Sequence, residues 1–136
     1  MYLSLLDYFG NWFDHEDATE ERKAAARELL DRVNGLLVEA EAHGVDLRIN
    51  QRTKTYVSGE QYGGFRPQSC PQGAPDSAHK VGMAVDIFDP ANDLDNYVTD
   101  AILTAHDLYR EAPGSTDKWC HLSTRAPGSK KRTFQP

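Results

Sequence analysis

Between Met83 and Phe88 the chain reads Met-Ala-Val-Asp-Ile-Phe, an apolar run with a single carboxylate in its middle. Alternation predicts a short strand, with Val85 and Ile87 on one side and Ala84, Asp86 and Phe88 on the other. Such a run belongs inside a fold. An unpaired charge there costs several kcal/mol or more, so any structure this chain adopts must bring a partner to Asp86.

The residues just upstream supply half of an answer. In Ser77-Ala78-His79-Lys80-Val81-Gly82-Met83-Ala84-Val85-Asp86, a histidine stands seven residues before the aspartate. Imidazole and carboxylate are both zinc ligands, and a catalytic zinc usually keeps three protein ligands and one open position for water. The third ligand must come from elsewhere. Of the other histidines, His15 lies in an acidic loop-like segment, and His43 and His106 fall near the ends of predicted helices. His121 sits in the strand-like run Trp119-Cys120-His121-Leu122, which makes it the expected third ligand.

Ser-x-His-x-x-Gly-x-Ala-x-Asp, matched by Ser77, His79, Gly82, Ala84 and Asp86 and followed by Trp119-x-His121, resembles the signature of the zinc D-Ala-D-Ala carboxypeptidase and L-alanyl-D-glutamate peptidase family. Members of that family cut peptidoglycan stem peptides, and many are encoded by bacteriophages. Gly63-Gly64-Phe65-Arg66-Pro67 and the stretch from Ala126 through Arg132 and Phe134 are also similar to its small phage forms. The resemblance implies zinc on His79, Asp86 and His121. It also implies that Arg66 orients substrate and stabilises the oxyanion, and that Ser77 holds a substrate carboxylate. Arg52 is a weaker candidate for the arginine's role. On the residues alone, the alternatives are that Arg66 is a surface arginine tied to a loop carbonyl and that Ser77 caps a turn.

One position departs from the pattern. The family usually places an acid three residues before the second histidine, where this chain has Lys118; Asp117 lies four before. A one-residue bulge would re-aim Asp117 as the general base. Glu111, Asp76 or Glu60 could serve instead, or the base is absent. The leading expectation is therefore a zinc metallopeptidase acting on stem peptides, as carboxypeptidase or endopeptidase, with Asp117 and Arg66 catalytic. Its alternative is a weak or inactive zinc-binding virion or wall-binding module. A metal-free domain with three ordinary polar residues is the third reading.

The rest of the chain bounds these readings. The 136 residues suit one domain, 1–136, long enough for a core. A net charge of −6 speaks against nucleic acid as the main partner, and no apolar run approaches the ~18 residues of a membrane span. The apolar start, Met1 to Phe13, contains Asp7 and lacks a basic region, so it reads as a packing segment and not a signal peptide. The expected setting is synthesis in a host cytoplasm, action on the wall through phage lysis or a virion, and a monomer. Cys70 and Cys120 read as structural thiols, and Cys120 is not expected to share a metal with its strand neighbour His121.

A helix over 17–43 is predicted from Ala26, Leu29, Leu30, Val33, Leu36, Leu37 and Ala40 at three- and four-residue spacing, with Asp17 as cap and Gly44 as stop. A second is predicted over 93–109. From Asp46 to Ala78 short strands at 47–49 and 55–57 interrupt a long loop, expected to form a substrate rim, and Glu111 to Thr116 reads as a turn. The expected fold is α+β: a small, mainly antiparallel sheet carrying Asp86 and His121, flanked by the two helices. The resemblance implies the D-Ala-D-Ala carboxypeptidase/hedgehog-like form of it.

Overall fold

A computed structural model describes residues 2–136; Met1, the first residue of the apolar N-terminal segment, lies outside them. The architecture is α+β. Helices α1 (Leu5–Phe9) and α2 (Glu20–Ala42) precede strand β1 (Ala84–Phe88), then come α3 (Asp93–Tyr97), α4 (Asp100–His106), β2 (Tyr109–Glu111), β3 (Trp119–Ser123) and β4 (Thr133–Phe134). The strands form one mixed sheet in the order β1-β3-β2-β4. β1 and β2 each pair antiparallel with β3, and β4 runs parallel to β2.

α2 is the scaffold that its periodicity predicts. Every residue of the expected apolar stripe, from Ala26 to Ala40, is buried. It packs with Val85, Ile87, Cys120 and Leu122 from the sheet, each large side chain contributing about 1.5–3 kcal/mol by leaving water. The C-terminus closes as expected: Gly44 takes a left-handed φ of +93°, and Val45 N–H donates back to the Ala40 carbonyl at 3.0 Å, a Schellman arrangement. The N-terminus differs. Thr19 is the cap, accepting from Arg22 N–H at 3.2 Å. Asp17 is otherwise engaged, its carboxylate accepting from Gln68 N–H at 2.8 Å and so tying the long loop to the helix start.

The predicted helix over 93–109 is two helices. Val98 is extended, and the Thr99 hydroxyl accepts from Ile102 N–H to start α4 afresh. Two consecutive β-branched residues favour such a break, being stiff against the preceding helical turn. α4 then ends on Asp107 in the left-handed region, φ 52°. This frees Tyr109 to Glu111 to enter the sheet in place of the predicted turn at Glu111. The segments 47–49 and 55–57 are not strands; only single bridges form, Asn50 with Thr55 and Val57 with Ile87. The Asn50 side chain organises this loop by donating to the Val57 and Gly59 carbonyls.

The N-terminal aromatics pack inward. Tyr8 and Phe9 are buried, Phe9 lies 4.9 Å from the Phe65 ring, and the Tyr8 hydroxyl donates to the Ala84 carbonyl. No helix among the described residues is long and apolar enough to cross a membrane.

Candidate metal centre

Strand pairing brings the site together. In the β1–β3 register Asp86 lies opposite His121, and side chains of directly opposed residues share a face. Continuing the β2–β3 register by one residue sets Glu111 beside His121, and Glu111 pairs with Phe134 of β4. Asp86, His121, Glu111 and Phe134 thus form one row across the sheet. Cys120 and Leu122 face the core on the other side, which separates Cys120 from the cluster. Both cysteines are free and buried.

His79 reaches the row from a 3₁₀ turn over Ala78–Val81 that the Ser77 hydroxyl caps by accepting from His79 N–H. The turn ends on Gly82, φ +79°. A side chain at Gly82 would be strained and would meet the Arg22 carbonyl of α2, so this motif position needs glycine for both conformation and space. The preceding loop is clamped to the same turn. Arg66 N–H donates to the His79 carbonyl at 3.2 Å, and His79 Nδ1–H donates to the Gly64 carbonyl at 2.8 Å.

His79, Asp86 and His121 are all buried, at 3, 8 and 7 % exposure, and one ligand atom of each lies within 4.8 Å of the others. Asp86 Oδ1 is 3.4 Å from His79 Nε2 and 2.8 Å from His121 Nδ1. Arg66 Nη2 stands 3.5 Å from Asp86 Oδ2. Burial alone would push the Asp86 carboxyl up, but the two histidines, His79 foremost, outweigh it and hold the group well below the usual carboxylate range. Burial would lower His121, yet its hydrogen bond and charge interaction with Asp86, helped by Glu111, raise it above the ordinary imidazole value.

This group could hold a metal ion. The donors suit one: because a carbonyl only accepts, His79 donates from Nδ1 to Gly64, which leaves Nε2 as the nitrogen that faces the cluster. A carbonyl partner on the far nitrogen is the usual support of a ligating imidazole.

The other expected residues fall in different places. Arg66 is fixed by donating from Nε to the Tyr62 carbonyl at 2.8 Å. With Ser77 it lines a cavity of about 510 Å³ over the cluster, whose walls also include Glu111, Trp119, Arg125 and Phe134. Arg52 instead pairs with Glu60 on the surface. Asp117 is exposed in the turn before β3, accepting from the Asn92 side chain at 3.1 Å. The β1–β3 pairing is continuous from Trp119 to Ser123, so no bulge re-aims it. Lys118 takes a left-handed φ of 78° in this turn. The carboxylate that does approach is Glu111, with Oε1 3.9 Å from His121 Nδ1. His106 pairs with Glu39, and His43 bonds the Glu39 carbonyl, both away from the cluster.

Comparisons of the chain with family profiles, with curated proteins and with solved structures return no match.

Proposed function

We propose that this chain is a zinc peptidase of the D-Ala-D-Ala carboxypeptidase-like fold that hydrolyses peptidoglycan stem peptides. The observation that carries the reading is the convergence of His79, Asp86 and His121 on one sheet face, with the carboxylate of Glu111 beside them and a cavity above. The motif resemblance supplies the substrate class. The setting that fits is a phage lysis or virion protein.

His79 Nε2, Asp86 and His121 Nδ1 would hold the metal. Bound zinc supplies a Lewis acid that polarises a carbonyl and lowers the pKa of water to about 7. Glu111 takes the proton of the attacking water and returns it to the leaving amine. Glu111 stands on the same row, with Oε1 3.9 Å from His121 Nδ1, and geometry is the first requirement of a general base. Asp117, held by Asn92, has no such access. The Arg66 guanidinium, anchored on the Tyr62 carbonyl, offers its remaining donors to the carbonyl oxygen as charge develops there. Ser77 lines the same space and can accept or donate to the peptide.

The test is metal content of the purified chain together with hydrolysis of purified stem peptides, with and without chelator. One zinc per chain and chelator-sensitive cleavage are expected. Bound zinc without turnover on any wall type would replace the enzyme by a zinc-pinned binding module, and no zinc after reconstitution would remove both readings.

A further inference from the structure

Two cavities meet at the metal cluster. The larger, described above, covers the histidines, Glu111 and Phe134. A second, of about 410 Å³, lies over the loop around Glu60 and Tyr62. Arg66, Asp86 and Trp119 belong to the walls of both. The cluster therefore sits where the cavities join and not at the closed end of either.

The backbone explains the arrangement. Asp86 N–H donates to the Gly63 carbonyl at 2.7 Å, and Ser58 N–H donates to the Asp86 carbonyl at 2.9 Å. The 58–63 loop is thus laced along the outer side of β1, while β3, β2 and β4 follow on its other side. Together the cavities make a groove that crosses the strands, from the loop, over Asp86 and His121, to β4. Each half is in the size range that encloses a ligand of a few residues.

Removing a terminal residue calls for a different shape: a short pocket closed by a cation that receives the terminal carboxylate. Here Arg66 stands at the junction, and the leaving-group side continues past Glu111 to Phe134, Pro127 and Arg125. Arg125 is exposed, and its guanidinium makes no hydrogen bond or ion pair among the described residues. Glu111 fixes the direction of the chain. It lines only the larger cavity, and it is the group that protonates the leaving nitrogen.

Resting on the peptidase reading, we infer that the chain is an endopeptidase. It takes an extended peptide across the sheet, with the acyl portion over the 58–63 loop and the amine portion along β2 and β4, where Arg125 holds a carboxylate. One water is consumed: its oxygen bonds the carbonyl carbon, the C–N bond breaks, and one proton passes through Glu111 to the leaving nitrogen. The second proton leaves with the new carboxylic acid as it ionises.

The experiment uses the zinc-loaded full chain and three synthetic stem peptides read by mass spectrometry. The first is acetylated and amidated with residues on both sides of the bond; the second stops one residue after the bond with a free carboxylate. The third is the first with the carboxylates downstream of the bond amidated. Internal cleavage of the blocked peptide is expected, with kcat/KM at least about tenfold above that of the truncated one, and Arg125→Gln should narrow the preference for the first over the third. Release of the terminal residue alone, lost on amidation, would overturn the endopeptidase and leave the peptidase standing. Zinc bound with none of the three cut would overturn both, and an unchanged preference in Arg125→Gln would overturn the assignment of Arg125.

Discussion

Two of the three buried aspartates, Asp86 and Asp95, lie on opposite sides of the same sheet, and their surroundings drive them in opposite directions. Asp86 faces two histidines and Arg66 beneath an open groove, and is held ionised. Asp95, on α3, is sealed against the far side of β3. Its Oδ2 accepts from the Thr116 hydroxyl at 2.8 Å, Oδ1 has no hydrogen-bond partner among the described residues, and Arg110 Nη1 is 3.8 Å away. Burial raises its pKa despite these partners, and burial, with Asp95 nearby, pushes the Cys120 thiol well up. Burying a carboxylate is thus not itself a mark of function. What separates the two is the charge of the neighbours and access from outside.

The largest expected effect tests that separation. On the proposed reading, Asp86→Asn keeps the shape but removes a ligand charge, and should weaken zinc binding by more than about 100-fold, since even losing an outer partner of a ligand costs 10–100-fold. Cleavage should vanish with the metal. Metal titration followed by peptide hydrolysis reads both. An Asp86→Asn chain that retains stoichiometric zinc would make this aspartate structural, like Asp95.

Next come the two acids that compete for the role of general base, Glu111 and Asp117. Glu111→Gln should retain zinc yet lose about 10²–10⁴-fold in kcat, the range for a positioned general base. Asp117→Asn should change kcat less than about twofold, because this residue touches Asn92 and solvent. Equal losses in the two variants would return Asp117 to consideration and require the turn before β3 to move.

The contrast between Glu111 and Asp117 also shows how far the sequence could be read. α2 and its Gly44 stop are legible because helical periodicity is local and its glycine has one plain use. The His79–Asp86 spacing and Trp119-x-His121 identify a group that the structure brings together, because the motif spells out a turn, a glycine and a strand in fixed order. Glu111 was only one of three spare acids, since β2 has three residues and gains its place by pairing with β3 and β4, far away in sequence. No local pattern announces so short a strand. The break at Val98–Thr99 is hidden for a related reason: Leu94, Val98 and Ile102 keep helical spacing even though the chain leaves the helix between them. At the start of α2, Asp17 and Thr19 both suit a cap, and the choice falls to Thr19 because Gln68, fifty-one residues on, engages Asp17.

The smallest effect concerns stability, and it runs against the intuition that deleting a buried charge weakens a fold. Because the folded pKa of Asp95 is raised, the unfolded chain releases its proton first as pH rises. Above the unfolded value of about 3.9 the folded state binds more protons than the unfolded one, so stability falls with rising pH until the folded group also ionises. Asp95→Asn removes that loss while its side-chain carbonyl can still accept from Thr116. The variant should therefore melt at a higher temperature than the parent near pH 7, with the gap closing below about pH 4, where Asp95 is neutral in both states. Zinc content should be unchanged in Asp95→Asn, since this side chain lies across the sheet from the cluster. Thermal melts of both chains from pH 3.5 to 8 read the difference. A variant less stable at neutral pH than at acid pH, relative to the parent, would mean that the Arg110 ion pair outweighs burial, and Asp95 would then join Asp86 as a carboxylate held ionised by its neighbours.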